Sequence, residues 1–321
     1  PGAVLADFLG RDLGPNNTYA DRKQANPFFN IVLRDFGNTQ AEEMAQLNPT
    51  FVMFWLGNND VLGYVASGGN TPYVPANVFQ QLYAASMQTI SQTGADAVVY
   101  NIPNVTTIPY VFLVNSTLLQ NGTITINQSN DYALVTPQGN VPIWVQQTDP
   151  NNPGVVQDTV MMKAPNPSIG QPGGFFLLPA QSQLSGMFAN GVGLSPANPI
   201  PHALVLDNGE TTRAIQLVNQ YNQTIANIAG SNGFPVVDIN SAFSQIFQNF
   251  QQSGGTQGIT QDGITLTPVP GSLFSLDGIH PLNRGYGIVA NMTIDTINNA
   301  YNANLPKINI STIPQGIPIN N

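Results

Sequence analysis

The chain has 321 residues, room for one large domain or two ordinary ones, and 42% of them are apolar, which supplies a core and excludes wholesale disorder. Only 8% are charged, and 8 Lys+Arg stand against 17 Asp+Glu for a net charge of -9, so the basic footprint needed by a nucleic-acid or anionic-membrane partner is missing. The lack of cysteine excludes disulfides, thiolate metal sites and a cysteine nucleophile.

Ala3 to Leu9 reads as one or two helical turns. Thr39 to Leu47 reads as a helix with Glu42 and Glu43 near its start, where the helix dipole favours acids; Pro49 stops it. Phe51 to Leu56 is an unbroken apolar run that ends in the turn Gly57-Asn58-Asn59-Asp60, and such a run predicts a strand buried on both faces. After a loop from Gly68 to Pro75, the residues Phe79, Leu82, Tyr83, Ser86, Met87 and Ile90 fall at helical spacing, closed by Gly94. Ala97 to Tyr100 predicts a second buried strand. Residues 103–201 interrupt the pattern. They are rich in Pro, Asn, Gly and Gln, with short alternating runs such as Thr123 to Ile126, and read as a long insertion with β character, a lid or one wall of a pocket. Asp207 to Glu210 reads as the N-cap region of a helix that runs to Ile228. Pro235 to Ile239 predicts a third strand, a last helix follows Pro281 to about Asn302, and the tail from Leu305 to Asn321 is expected to wrap the surface. The alternation of strands and helices predicts an α/β fold with parallel strands. No apolar run approaches the roughly 18 residues of a membrane span.

Only two histidines are present, which narrows any acid–base chemistry. His280 lies in Asp277-Gly278-Ile279-His280-Pro281, and an aspartate three residues before a histidine can hold Nδ1 and leave Nε2 free as a general base. The plain alternative is an Asx-turn ahead of a helix with a surface histidine. Asn59 follows the first apolar strand, on the strand end where ligands bind in open α/β sheets, and its amide suits an oxyanion. A polar turn is the alternative there, and Asp60 reads as a turn-former. His202 has no acid at a matching spacing and reads as structural. No Gly-X-Ser-X-Gly elbow and no Gly-Asp-Ser is present, and Ser67, Ser185, Ser231 and Ser272, although next to glycines, follow no clear strand. No metal-ligand spacing or phosphate-binding glycine loop appears, so no cofactor is expected.

Gly57-Asn58-Asn59-Asp60 after an apolar strand and Asp277-Gly278-Ile279-His280-Pro281 near the C-terminus resemble the third and fourth sequence blocks of the SGNH/GDSL-type serine hydrolases. Pro1-Gly2-Ala3-Val4 resembles the tail of the second. The segments Phe54 to Tyr64, Asn101 to Thr106, Leu204 to Asp207 and Phe274 to Pro281 are similar to a secreted or lipid-anchored, Bacteroidetes-like branch of that family. The resemblance implies a three-layer α/β/α sandwich of flavodoxin-like type with strand order 2-1-3-4-5. It implies a Ser-His-Asp esterase or lipase in which His280 is the base, Asp277 orients it, and Asn59 and Gly2 are oxyanion donors. The Gly-Asp-Ser block that carries the nucleophile is absent, so the resemblance implies an N-terminally truncated, inactive fragment lacking strands 1 and 2, with a bare edge on Phe51–Leu56. It also implies a bacterial, extracytoplasmic location, secreted or outer-membrane-anchored, and a lipid, small-molecule or glycan ester as substrate. Two other readings stand beside this one: a non-catalytic envelope or ligand-binding protein on the same scaffold, and a glycan-binding β-module, which the α/β alternation disfavours.

Overall fold

The structure is a computed structural model that describes residues 2–10, 39–149 and 152–315. In chain order the first half holds α1 (Leu5–Leu9), α2 (Gln40–Gln46), β1 (Phe51–Phe54), α3 (Asn59–Ala66), α4 (Ala76–Gln92), β2 (Asp96–Tyr100) and α5 (Pro109–Gln120). A β-rich stretch follows: β3 (Ile124–Ile126), β4 (Tyr132–Thr136), β5 (Gly139–Pro142), β6 (Trp144–Asp149), β7 (Asn152–Met161), β8 (Phe175–Phe176), α6 (Leu184–Ala189) and β9 (Val205–Leu206). The chain then returns to α7 (Asn208–Ser231), β10 (Val236–Val237), α8 (Ile239–Gln252), the hairpin β11 (Ile259–Gln261) and β12 (Ile264–Leu266), and α9 (Asn283–Tyr301). None of these helices is long and apolar enough to cross a membrane.

The predicted α/β alternation is present as a parallel sheet of order β1-β2-β10, with Phe51 opposite Asp96 and Val237 opposite Tyr100. Phe54 meets Phe8 of α1 and Tyr83 of α4 edge to face, and Phe79 of α4 stacks on Tyr221 of α7 at 4.0 Å. On the opposite face, Tyr100 hydrogen-bonds Thr293 of α9, and the Tyr301 hydroxyl donates to the Ala97 carbonyl at 2.7 Å. The expectation that Phe51–Leu56 is buried on both faces is corrected. Val52 and Phe54 are buried, but Phe51 is 36% and Met53 65% exposed. Side chains alternate across a strand, and α9 packs mainly over β2 and β10, with Tyr301 at its end meeting Phe51 of β1. Among the described residues, β1 pairs on one side only and forms the sheet edge.

Local chemistry explains the helix starts. Thr39 and Glu42 form a reciprocal capping box at α2. Asp207 and Glu210 do the same at α7: Asp207 Oδ1 accepts from the Gly209 and Glu210 amides, and Glu210 Oε2 accepts from the Asp207 amide at 2.8 Å. α8 was not foreseen, although Ile239, Phe243, Ile246 and Phe250 mark a helical stripe and are buried. The described part of the tail follows the surface as expected, with Ile308 bonded to both amide atoms of Asn291 and Ile310 fully buried.

The insertion has the predicted β character, as the antiparallel meander β3-β4-β5 and the hairpin β6-β7. It holds its own apolar cluster, which includes Tyr132, Val145, Phe176 and Ile200. The two cores meet in α5: Val111 and Phe112 belong to the main one and Val114 to the second.

Hairpin β6-β7 joins the main body at a buried carboxyl pair. Thr148 donates to Glu210 Oε1, next to Asp207. Burial, and then the neighbouring Asp207 charge, push the Glu210 carboxyl up to about 7. The folded state therefore holds a proton that the unfolded state has already released between about pH 4.5 and 7, so stability falls as pH rises through that window. Unfolding in urea is expected to cost on the order of 2 kcal/mol more at pH 5 than at pH 8, and Glu210→Gln is expected to flatten the difference. An unchanged slope in that variant would place the titrating group elsewhere.

Candidate functional site

The three parallel strands end on one edge of the sheet, and the loops that leave them are bound together. Asn101 donates to Asp238 at 2.7 Å and accepts from the Asn240 amide, while Asn222 grips both the amide and the carbonyl of Ile102 at 2.8 Å. Under these loops lies a pocket of about 260 Å³. Trp55, Leu62, Ile102, Phe243 and Phe274 supply much of its apolar wall, and Asn58, Asn59 and His280 are polar members. Among the described residues, no Asp, Glu, Lys or Arg lines it.

Asn59 reaches the pocket because Gly57 turns the chain sharply after β1. Gly57 has φ +113°, and a Cβ there would lie 2.9 Å from the Phe79 ring, so only glycine fits. Asn59 opens α3, and its Nδ2 donates to the Ala3 carbonyl at 2.8 Å. One amide hydrogen is thus fixed and the second is available. Asp60, read as a turn-former, is instead a buried anchor: Oδ2 accepts from the Leu5 amide at 2.9 Å, and the residue is 2% exposed. Asn59 and Asp60 together fasten the N-terminal segment to the sheet end. Gly2, adjacent to Ala3, is exposed with φ +72° and is not in the pocket lining.

His280 and Asp277 share a tight turn in which the Ser275 amide donates to the His280 carbonyl at 2.7 Å. His280 Nδ1 lies 2.6 Å from Asp277 Oδ2. Asp277 Oδ1 accepts from the Ser275 hydroxyl and from the amides of Ile279 and His280. Partial burial works to raise the Asp277 pKa, but the bonds from Ser275, His280 and the two amides outweigh it and hold the carboxyl well below the usual carboxylate range. The Asx-turn and the histidine-orienting contact are therefore both present, one on each carboxylate oxygen. The His280 side chain is 68% exposed, and Nε2 has no hydrogen bond among the described residues. An imidazole so held can take a proton at Nε2 while the carboxylate stabilises the resulting cation.

The structure thus brings Asn59 and His280 to one pocket from positions 221 residues apart in the chain, with Asp277 behind His280. His202 lies elsewhere, its Nδ1 3.3 Å from the Gly68 carbonyl. Ser67, Ser231 and Ser272 are engaged in local bonds, and no serine lines the pocket. Two lining residues escaped sequence reasoning. Tyr286, in the first turn of α9, is 48% exposed; partial burial and then the Asp277 charge raise its hydroxyl pKa. Phe243 belongs to the unforeseen α8, and the stripe that marks that helix is the signal that could have found it. Comparison with protein-family models, curated proteins and solved structures finds no match.

Proposed function

We propose that this chain carries the acid–base and oxyanion-binding parts of an SGNH-type carboxylic ester hydrolase, with the nucleophilic serine contributed from outside residues 1–321. The observation that carries this reading is the oriented Asp277–His280 pair, Nε2 free, on one uncharged pocket with Asn59. In this reading β1, β2 and β10 are strands three to five of a 2-1-3-4-5 sheet in a three-layer α/β/α sandwich. The serine oxygen attacks the acyl carbonyl as His280 Nε2 takes its proton, and the same proton passes to the departing alkoxide. Water then repeats the sequence on the acyl-serine and releases the acid. The second amide hydrogen of Asn59 donates to the oxyanion; Gly2, exposed and outside the pocket lining, has no part in this arrangement. Asp277 stays ionised and stabilises the imidazolium. The uncharged wall favours a neutral acyl group, and the reading places the protein outside the cytoplasm of a bacterium.

The test is ester hydrolysis by residues 1–321 alone and by the protein expressed with the coding sequence upstream of Pro1. The chain alone is expected to leave p-nitrophenyl esters at background, and the serine-bearing protein to turn them over. Asn59→Ala in the latter is expected to lower kcat about 10²–10³-fold with little change in KM. Equal turnover in that variant would remove Asn59 from the oxyanion site. Ester binding without turnover would favour the non-catalytic binding protein.

A further inference from the structure

The two halves of the site stand on different elements, Asn59 on α3 and His280 on the turn before α9. One residue of the insertion touches both supports. The Tyr110 backbone N–H donates to the Gly278 carbonyl at 2.9 Å, inside the Asp277–His280 turn. The Tyr110 hydroxyl donates to the Ala66 carbonyl at 3.0 Å, at the last residue of α3.

Both bonds use groups that a helix end leaves unpaired. The first amides of α5 have no carbonyl a turn earlier, and the last carbonyls of α3 have no amide a turn later. Pro109 starts α5, so Tyr110 offers the first available amide of that helix. The fit at Gly278 is close. Its φ is +70°, and a Cβ there would lie 2.8 Å from the Tyr110 nitrogen and 3.3 Å from Leu178 Cδ2, so α5 and the turn approach to a distance only glycine permits. Burial raises the Tyr110 hydroxyl pKa, so the phenol keeps its proton as a donor throughout the neutral range. Tyr110 is not in the pocket lining.

We infer that Tyr110 is a positioning residue, a two-ended brace from the insertion that sets the placement of His280 relative to Asn59. The inference rests on the reading of Asn59 and His280 as one site, but not on any turnover at it. Its prediction is that disturbing either end of the brace is felt at the other.

The experiment is side-chain NMR on the 15N-labelled 321-residue chain, following the His280 ring nitrogens and the Asn59 amide. Tyr110→Phe removes one hydroxyl beside Ala66 and is expected to shift both sets of resonances, although it touches neither residue. Gly278→Ala acts from the other end and is expected to shift the Asn59 amide. Tyr301→Phe is the control. It removes a hydroxyl bond to the Ala97 carbonyl, the same chemistry on the opposite sheet face, and is expected to move neither set. A His280 ring unmoved by Tyr110→Phe, an Asn59 amide unmoved by a folded Gly278→Ala, or equal shifts in the control would overturn the brace. Because no ester is present, failure of hydrolysis and failure of the brace are separate results.

Discussion

Asp277→Asn is expected to lower kcat of the serine-bearing protein by about 10⁴-fold while leaving the fold intact. The asparagine carbonyl can still accept from the Ile279 and His280 amides, which hold the turn. What changes is the partner at 2.6 Å from His280 Nδ1. A carboxylate accepts there and places the ring proton on Nδ1. A carboxamide NH₂ in the same position favours the tautomer with the proton on Nε2, where it blocks the base. The imidazolium also loses the charge that stabilises it. His280→Ala removes the base itself and is expected to cost at least as much. The two losses should not add, because both variants disable one unit. Asp277 gives a second readout. Its carboxyl is held below its ordinary range in the fold, so its contribution is present above about pH 4 and is lost as pH falls further. Stability is therefore expected to fall as pH drops below about 4, and that acid loss to be smaller in Asp277→Asn; an equal loss in the variant would assign it to another carboxyl.

Phe79→Ala is expected to destabilise the protein by about 3–5 kcal/mol, a large share of the roughly 5–15 kcal/mol that holds an ordinary domain. Phe79 is fully buried. Its ring stacks on Tyr221 at 4.0 Å and on Tyr83 at 5.8 Å, so one truncation empties the seam between α4 and α7 and leaves two aromatic faces without a partner. The ring also fills the space next to Gly57, where the chain leaves β1 for Asn59. The deficit should therefore appear as a lower urea midpoint together with a displaced Asn59 side-chain amide. A loss below about 1 kcal/mol would mean that the neighbouring tyrosines close over the gap.

What could be read from the sequence was what depends on near neighbours. The Asp277–His280 contact spans three residues, and the bonds to the Asp277 carboxylate come from Ser275, Ile279 and His280, all within a few residues of it. Asn59 was visible because a strand end and a glycine turn lie next to it. The helical stripe of α4 and the capping box of α7 are equally local. The exposed face of β1 was misread because coverage depends on where α9 crosses the sheet, some 240 residues later in the chain. α5 went unseen for a different reason. It is apolar around most of its girth, since it faces one core with Phe112 and the other with Val114, and a helix between two cores has no polar stripe to reveal its period. Tyr110 sits 44 residues from Ala66 and 168 from Gly278. No spacing rule connects such positions.

The double membership of α5 moves the border of the insertion. By composition the inserted stretch opens at Pro103, and a deletion drawn there would look clean on paper. It would take away Val111 and Phe112 from the main core and Tyr110 from both of its carbonyl partners. Nor is the lobe behind α5 free of the main body: Phe175 and Leu177 sit in the main core, and Thr148 donates to Glu210. A shortened version of this protein has to keep α5 and both of these ties as native scaffold.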